Sequence, residues 1–332
     1  MLEGNLGMRF VRAAVLAVTL GAMAMGASAQ QAPRGGGGGS APQVPFVVHQ
    51  LKPNVYWIEG GGGNSGVIVG NNGVIIVDAK TSAAGGKELL DVVAKITPKP
   101  VTTVFITHSD GDHVNGLASF PKGLTIISQE NCKKEMQAAP NAAAGGALAD
   151  YMPTRVVAKS PENVTIEGVK LRLLHYAPAH TSGDLMIYLP DEKILFTGDV
   201  VTGNGPYPLL HLEKNGSSDG WITTVKALVA IDAMNYVPGH GNLQTRPEVQ
   251  KRLADMRARR DQIKSLAAQG KSLEEVRTAL GEPQPQARGG GGGGGGGGNA
   301  AGGVPGGAQG RGGALPNFMD FTAVIYAEQT RK

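Results

Sequence analysis

Cysteine is almost missing from this chain: Cys132 is the single one among 332 residues. One thiol can neither close an internal disulfide nor build a thiolate metal site. Aromatic residues are scarce as well, at 5%, so the core has to be built from small aliphatics. There is no dense Lys/Arg run with interleaved aromatics, and a formal charge of +4 is mild for this length. Both facts disfavour a DNA or RNA partner. The apolar run from Ala13 to Gly26 falls short of the roughly 20 residues that span a bilayer. No Ser-His-Asp or Cys-His set stands in a convincing context, so a side-chain nucleophile is not indicated.

What is present falls into segments. Arg9 and Arg12, the run AAVLAVTLGAMAMG and then Ala27-Ser28-Ala29 read as a signal peptide over 1–29, with Gln30 the first mature residue. The expectation is a periplasmic or secreted protein with no stable membrane insertion after cleavage. Residues 30–45 read as a disordered leader, and 283–313 as a flexible loop containing ten consecutive glycines, Gly289 to Gly298. Polyglycine without a following Lys-Ser/Thr is no phosphate-binding loop. A catalytic domain is expected over 46–282, and residues 314–332 carry a helical apolar spacing expected to pack back onto it.

Within 46–282 the pattern is α/β. Short apolar strands are read at 54–59, 66–69, 73–77, 101–107 and 124–128, with helices at 82–96 and 130–137. The second half repeats the habit: strands at 155–158, 164–167, 169–174, 185–189, 194–197 and 235–237, with helices at 219–230, 247–268 and 273–280. Strand runs followed by helices, twice over, imply two sheets with helices outside.

The chemistry concentrates in ITHSDGDHVNG, residues 106–116. His108, Asp110, Asp112 and His113 follow directly on an apolar strand, where a rigid element hands over to a loop. Imidazole with carboxylate suits zinc and neighbouring divalent ions. If the loop is extended, 108, 110 and 112 point one way and His113 another, so one loop feeds two metals. His180 in APAHTSGD, Asp199 in ILFTGDV and His240 in VPGHGN add donors at strand ends or before a strand. The chain has seven histidines, and four of them sit in such contexts. His49 and His175 look structural. His211 lies in a stretch between Asp199 and the next helix and is a candidate for substrate contact, with Tyr207, Trp221 and Asn64 as further pocket candidates.

The order HxxxDH, HTxGD, FTGD, PGHG resembles the metallo-β-lactamase superfamily, over roughly Phe46 to Leu280. The resemblance implies a four-layered αβ/βα sandwich with metals at one edge between the sheets. It implies that His108, position 110 and His180 bind a first metal, that Asp112, His113 and His240 bind a second, and that Asp199 bridges them. Asp112 and Asp199 would be the catalytic carboxylates. Asp78 in GVIIVDAK would orient ligands, and the glycine-rich hairpin Gly60 to Gly66 would overhang the site.

The sequence departs from the family's HxHxDH at Asp110. Three readings follow: an oxygen ligand that makes the site harder and more tolerant of Mn or Fe beside Zn2+, a first site too weak to fill, or a degenerate site. The first is preferred, because carboxylate is a competent ligand and every other position is intact.

Two zinc ions that activate water imply a hydrolase of a small-molecule ester, thioester, lactone or amide, a β-lactam included. A β-lactamase proper of the Cys-free subclass is one alternative. A non-catalytic metal- or ligand-binding protein of this fold is another. The resemblance extends to relatives with a di-iron redox role, but these pair the fold with a flavin domain, which is not expected here.

Overall fold

The computed structural model describes residues 45–143, 145–282 and 319–330. The expected signal peptide, the leader up to residue 44 and the glycine-rich segment lie outside the described residues.

The first sheet has seven strands in chain order: β1 (Val47–Lys52), β2 (Val55–Glu59), β3 (Ser65–Val69), β4 (Val74–Val77), β5 (Val101–Phe105), β6 (Thr125–Gln129) and β7 (Arg155–Val157). Neighbours are antiparallel from β1 to β4 and parallel from β4 to β7. The parallel crossovers carry helix α1 (Ala83–Ile96), a single helical turn α2 (Gly111–Val114), and α3 (Glu130–Ala138). Ser82 caps α1 by accepting from Gly85 N, which satisfies a donor the first turn cannot pair internally.

The second sheet has the order β13-β12-β11-β10-β9-β8. Its members are β8 (Glu162–Ile166), β9 (Val169–Leu174), β10 (Met186–Leu189), β11 (Ile194–Gly198), β12 (Asn235–Pro238) and β13 (Gln244–Thr245). Helix α4 (Ser218–Ala230) joins the parallel pair β11 and β12. Helices α5 (Arg246–Ala268), α6 (Leu273–Ala279) and α7 (Phe321–Thr330) follow.

Alternation along the strands builds the layers. Ile75 and Val77 of β4 and Ile187 and Leu189 of β10 face one another between the sheets, with Phe105, Leu173 and Phe196. Val74 and Ile76 turn outward onto Leu89 and Val93 of α1. Met186 and Tyr188 turn outward onto Trp221 and Val225 of α4, Met256 of α5 and Val324 of α7. Strands covered on both faces need apolar residues at nearly every position, which is why they read as continuous hydrophobic runs. The result is helix, sheet, sheet, helix: the four-layered αβ/βα sandwich.

Element boundaries fall within a few residues of those expected, with three differences. Edge strands β1 and β13 were not anticipated, because VVHQLK is largely exposed and lacks an apolar run, and β13 is only two residues long. The strand before His108 stops at Phe105 rather than Thr107. The ligand loop is not extended: the chain turns into α2 at Gly111, so strand-like alternation is not what divides its side chains.

Trp221 is no pocket residue. It is fully buried, its Nε1 donates to Val200 O at 2.7 Å, and it belongs to the core under α4. Tyr207 stacks on Phe321 with ring centroids 4.6 Å apart and fixes α7 to the loop after β11.

Candidate metal centre

The donors gather at the carboxyl ends of the parallel strands, where α/β folds place their sites. Asp78 follows β4, His108 follows β5, Asp199 follows β11, and His240 follows β12. His180 lies in the turn before β10. That turn is pinned by buried Asp184, whose Oδ1 accepts from Thr181 N at 3.0 Å and from Thr181 Oγ1 at 2.8 Å.

Three clusters result, each with its donor atoms within 4.8 Å of one another: His108 with Asp110 and His180, Asp112 with His113 and His240, and His108 with His113 and Asp199. In the first, Asp110 Oδ2 lies 3.6 Å from His108 Nε2 and 3.2 Å from His180 Nε2. In the second, His240 Nε2 lies 3.0 Å from Asp112 Oδ2 and 3.3 Å from His113 Nε2. Asp199 stands between them, with Oδ1 3.5 Å from His113 Nε2 and Oδ2 3.4 Å from His240 Nε2 and 4.0 Å from His180 Nε2. The turn at Gly111 is what sends Asp110 to one cluster and Asp112 and His113 to the other.

The imidazoles are held from behind. His113 Nδ1 is bonded to Asp78 Oδ2 at 2.8 Å, His108 Nδ1 to Thr107 Oγ1 at 2.9 Å, and His180 Nδ1 to Leu209 O at 2.9 Å. Each ring is thereby oriented with Nε2 facing inward, as metal-binding imidazoles require. Asp78 also accepts from Thr107 N and Thr107 Oγ1, at 2.8 and 2.7 Å, so one carboxylate steadies both the β5 terminus and His113. Thr107 went unnoticed in the sequence, although it directly precedes His108.

This donor set fits a pair of divalent cations. His108 Nε2 and Asp199 Oδ1 are buried and have no hydrogen-bond partner, a costly state for polar atoms unless something else occupies them. The electrostatics agree. Burial lowers the pKa of His113, but Asp78 and then Asp199 outweigh it and hold it up at about 10. His180 is raised to about 9 because Asp110 and Asp199 outweigh its burial. Burial raises Asp112 and Asp199, yet facing imidazoles bring both below the usual carboxylate range. Carboxylates held ionised around inward-facing nitrogens make a buried site that demands positive charge.

Exposure gives the site a direction. The side chains of His108, His113 and His180 are at most 1% exposed, whereas Asp112 is 34% and His240 26% exposed. The open edge is therefore that of Asp112 and His240. Asn64 and the β2–β3 turn border it: Asn64 Nδ2 donates to Pro238 O and Gly241 O at 3.0 Å each, and Gly63 N donates to Asp112 O at 3.2 Å. Asn64 thus ties the glycine turn to the His240 loop rather than pointing into an open pocket.

Lys80 fixes that turn from below. Its buried Nζ donates to Ile58 O at 2.7 Å and Gly63 O at 2.9 Å and sits 4.9 Å from the Phe46 ring centroid. Burial pushes its pKa down to about 7, against the pull of Asp78. An unfolded lysine keeps its proton up to the ordinary value of 10.5. Between those two pH values the unfolded chain binds more protons, so this residue's contribution to stability rises with pH. The denaturation midpoint of the wild type relative to Lys80→Met is expected to climb from pH 7 to 9.5. A constant difference would show that Lys80 keeps its charge when buried.

The metallo-β-lactamase superfamily profile matches residues 58–240, more than half of the chain. The chain belongs to the metallo-β-lactamase superfamily. Among curated relatives, the 2,4-dinitroanisole O-demethylase subunit alpha of Nocardioides sp. is 29% identical over 143 residues, covering 43% of this chain and 41% of that one. The atrochrysone carboxyl ACP thioesterase of Aspergillus fumigatus is 24% identical over 244 residues, with 69% of each chain covered. The chain thus spans about two fifths of the length of the first relative and about two thirds of the second. Among solved structures, the metallo-β-lactamase of Pontibacter korlensis superposes with a TM-score of 0.56 at 19% identity, covering 64% of this chain and 99% of that one. At that identity the likeness is one of fold.

Among the described residues no helix is long and apolar enough to cross a membrane.

Proposed function

We propose that this protein is an exported hydrolase that uses two zinc ions to cleave an ester, thioester, lactone or amide bond in a small molecule. The observation that carries the reading is the convergence of donors from separate loops on adjoining clusters, with the buried Asp199 between them. His108, Asp110 and His180 would hold one ion, Asp112, His113 and His240 the other, and Asp199 would contact both. When bound, such ions act as Lewis acids and make water acidic enough to attack at neutral pH.

The chain's own residues supply the rest. Asp112, at the open edge and 3.0 Å from His240, accepts the proton of the attacking water. Asp199 has carboxylate oxygens facing His113 and His240 and holds the two halves of the site at fixed separation. Asp78 keeps His113 in one tautomer and orientation. The turn over the open edge, anchored by Asn64 and Lys80, limits the water around the scissile bond. A thioesterase that aligns over 69% of both chains supports acyl transfer to water. The β-lactamase alternative draws on a donor set without cysteine, Cys132 lying on the buried face of α3.

Export follows from the basic, apolar and Ala-x-Ala stretches of residues 1–29, and mass analysis of the exported protein is expected to show Gln30 at its N-terminus. The decisive test is metal content with activity on nitrocefin, a simple lactone, an acyl thioester and an aryl ester. Two equivalents of zinc, with turnover of at least one substrate lost to a chelator and restored by zinc, is the expected result. Two bound equivalents with no turnover of any of them would favour a binding protein instead.

A further inference from the structure

A third imidazole reaches the first cluster from the loop after β11. His211 is 2% exposed, and its Nε2 lies 3.1 Å from Asp110 Oδ2. His180 makes the same approach at 3.2 Å and His108 at 3.6 Å. The His180 ring stands edge-on to both of the others, with centroids 4.6 Å apart in each case and interplanar angles of 88° to His108 and 90° to His211. Three Nε2 atoms therefore surround a single carboxylate oxygen.

His211 is also prepared as the other two are. Its Nδ1 is bonded to the Glu213 carboxylate, leaving Nε2 inward, in the carboxylate–histidine arrangement that orients ligating rings and raises their basicity. The main chain fixes it to the His180 loop: His211 N donates to His180 O at 2.9 Å and Ser182 N donates to Lys214 O at 2.8 Å. Asp110 is oriented from the opposite side. Lys214 Nζ takes its Oδ1 and also donates to Ser109 Oγ at 2.9 Å, so Oδ2 is the oxygen turned to the rings.

We propose that His211 is a ligand of the first metal, giving that site three imidazoles, His108, His180 and His211, with the Asp110 carboxylate. The proposal rests on the reading of the first cluster as a metal site. Its logic is compensation. Placing aspartate at position 110 removes a nitrogen donor and adds a negative charge. His211 restores the nitrogen count, and Lys214 offsets the charge. A set rich in imidazole favours zinc over the harder ions that a carboxylate-dominated site would admit.

The test uses full-length protein, stripped of metal and titrated with zinc against a chromophoric chelator and separately with Co(II) followed by absorption. Wild type takes two equivalents. His211→Ala is expected to keep the second site unchanged and to weaken the first by at least about tenfold, with an altered Co(II) spectrum. Glu213→Gln, at a side chain 59% exposed and so harmless to folding, is expected to weaken the same site by a smaller factor. Two equivalents at wild-type affinity and an unchanged spectrum in both variants would overturn the assignment and leave the dinuclear reading standing. Wild type that takes up fewer than two equivalents would overturn the dinuclear reading, and the role of His211 with it.

Discussion

Asp112→Ala is expected to cut hydrolysis by about 10²- to 10⁴-fold, the range over which a positioned general base contributes, while the protein stays folded. The argument starts from exposure. Asp112 is the most accessible of the proposed ligands, with a side chain 34% exposed. Its carboxylate faces His240 at 3.0 Å and His113 at 3.7 Å and props no part of the core. Removing it takes a carboxylate from the second cluster and the proposed proton acceptor from the open edge, yet disturbs little packing. Asp112→Asn separates the two roles: it keeps an oxygen donor but cannot take a proton, so zinc should be retained better than activity. Activity assays alongside metal analysis check this, and an Asp112→Ala enzyme at wild-type rate would remove Asp112 from the mechanism.

The sequence made the donor set legible because the fold puts its chemistry where strands end. The apolar runs before Asp78, His108, Asp199 and His240 mark β4, β5, β11 and β12, and glycine or a tight turn follows each. Other parts were hidden for identifiable reasons. His211 sits in LLHLEK, with no glycine and no strand directly before it, so it stood out as a candidate for substrate contact and not as a metal ligand. The available signal was Glu213, two residues on and able to grip its Nδ1. Lys214 gave none, since its partner Asp110 is distant in sequence. Trp221, a pocket candidate by sequence, belongs to the core. Its true place was written in the helical spacing of Trp221, Val225 and Leu228, an i, i+4, i+7 stripe that marks a core-facing surface. The division of donors between two clusters was expected for the wrong reason, a helical turn at Gly111 doing what strand alternation was thought to do.

Gly239→Ala is expected to disable the site without replacing any proposed ligand. Gly239 lies between the end of β12 and His240. A Cβ there would come within 1.9 Å of Asp199 Oδ1 and 2.8 Å of Gly198 C. The backbone cannot retreat easily. Gly239 N donates to Gly198 O at 2.8 Å, and Gly239 O accepts from Asn64 N at 2.6 Å, so the residue is clamped between the β11 terminus and the glycine turn. The contact is relieved only if the Asp199 carboxylate swings away or the β12 terminus shifts and takes His240 with it. Either movement separates Asp199 from the imidazoles it faces. Metal content and activity should fall together, and stability should drop by about 1–3 kcal/mol, as is usual when a tight interior is overfilled. Gly205→Ala is the control, because a Cβ there meets only Tyr207 O, at 3.8 Å, and should leave all three measurements unchanged. A Gly239→Ala protein with full zinc content and full activity would mean that Asp199 has room to move and still serve, which the packing around β11 and β12 argues against.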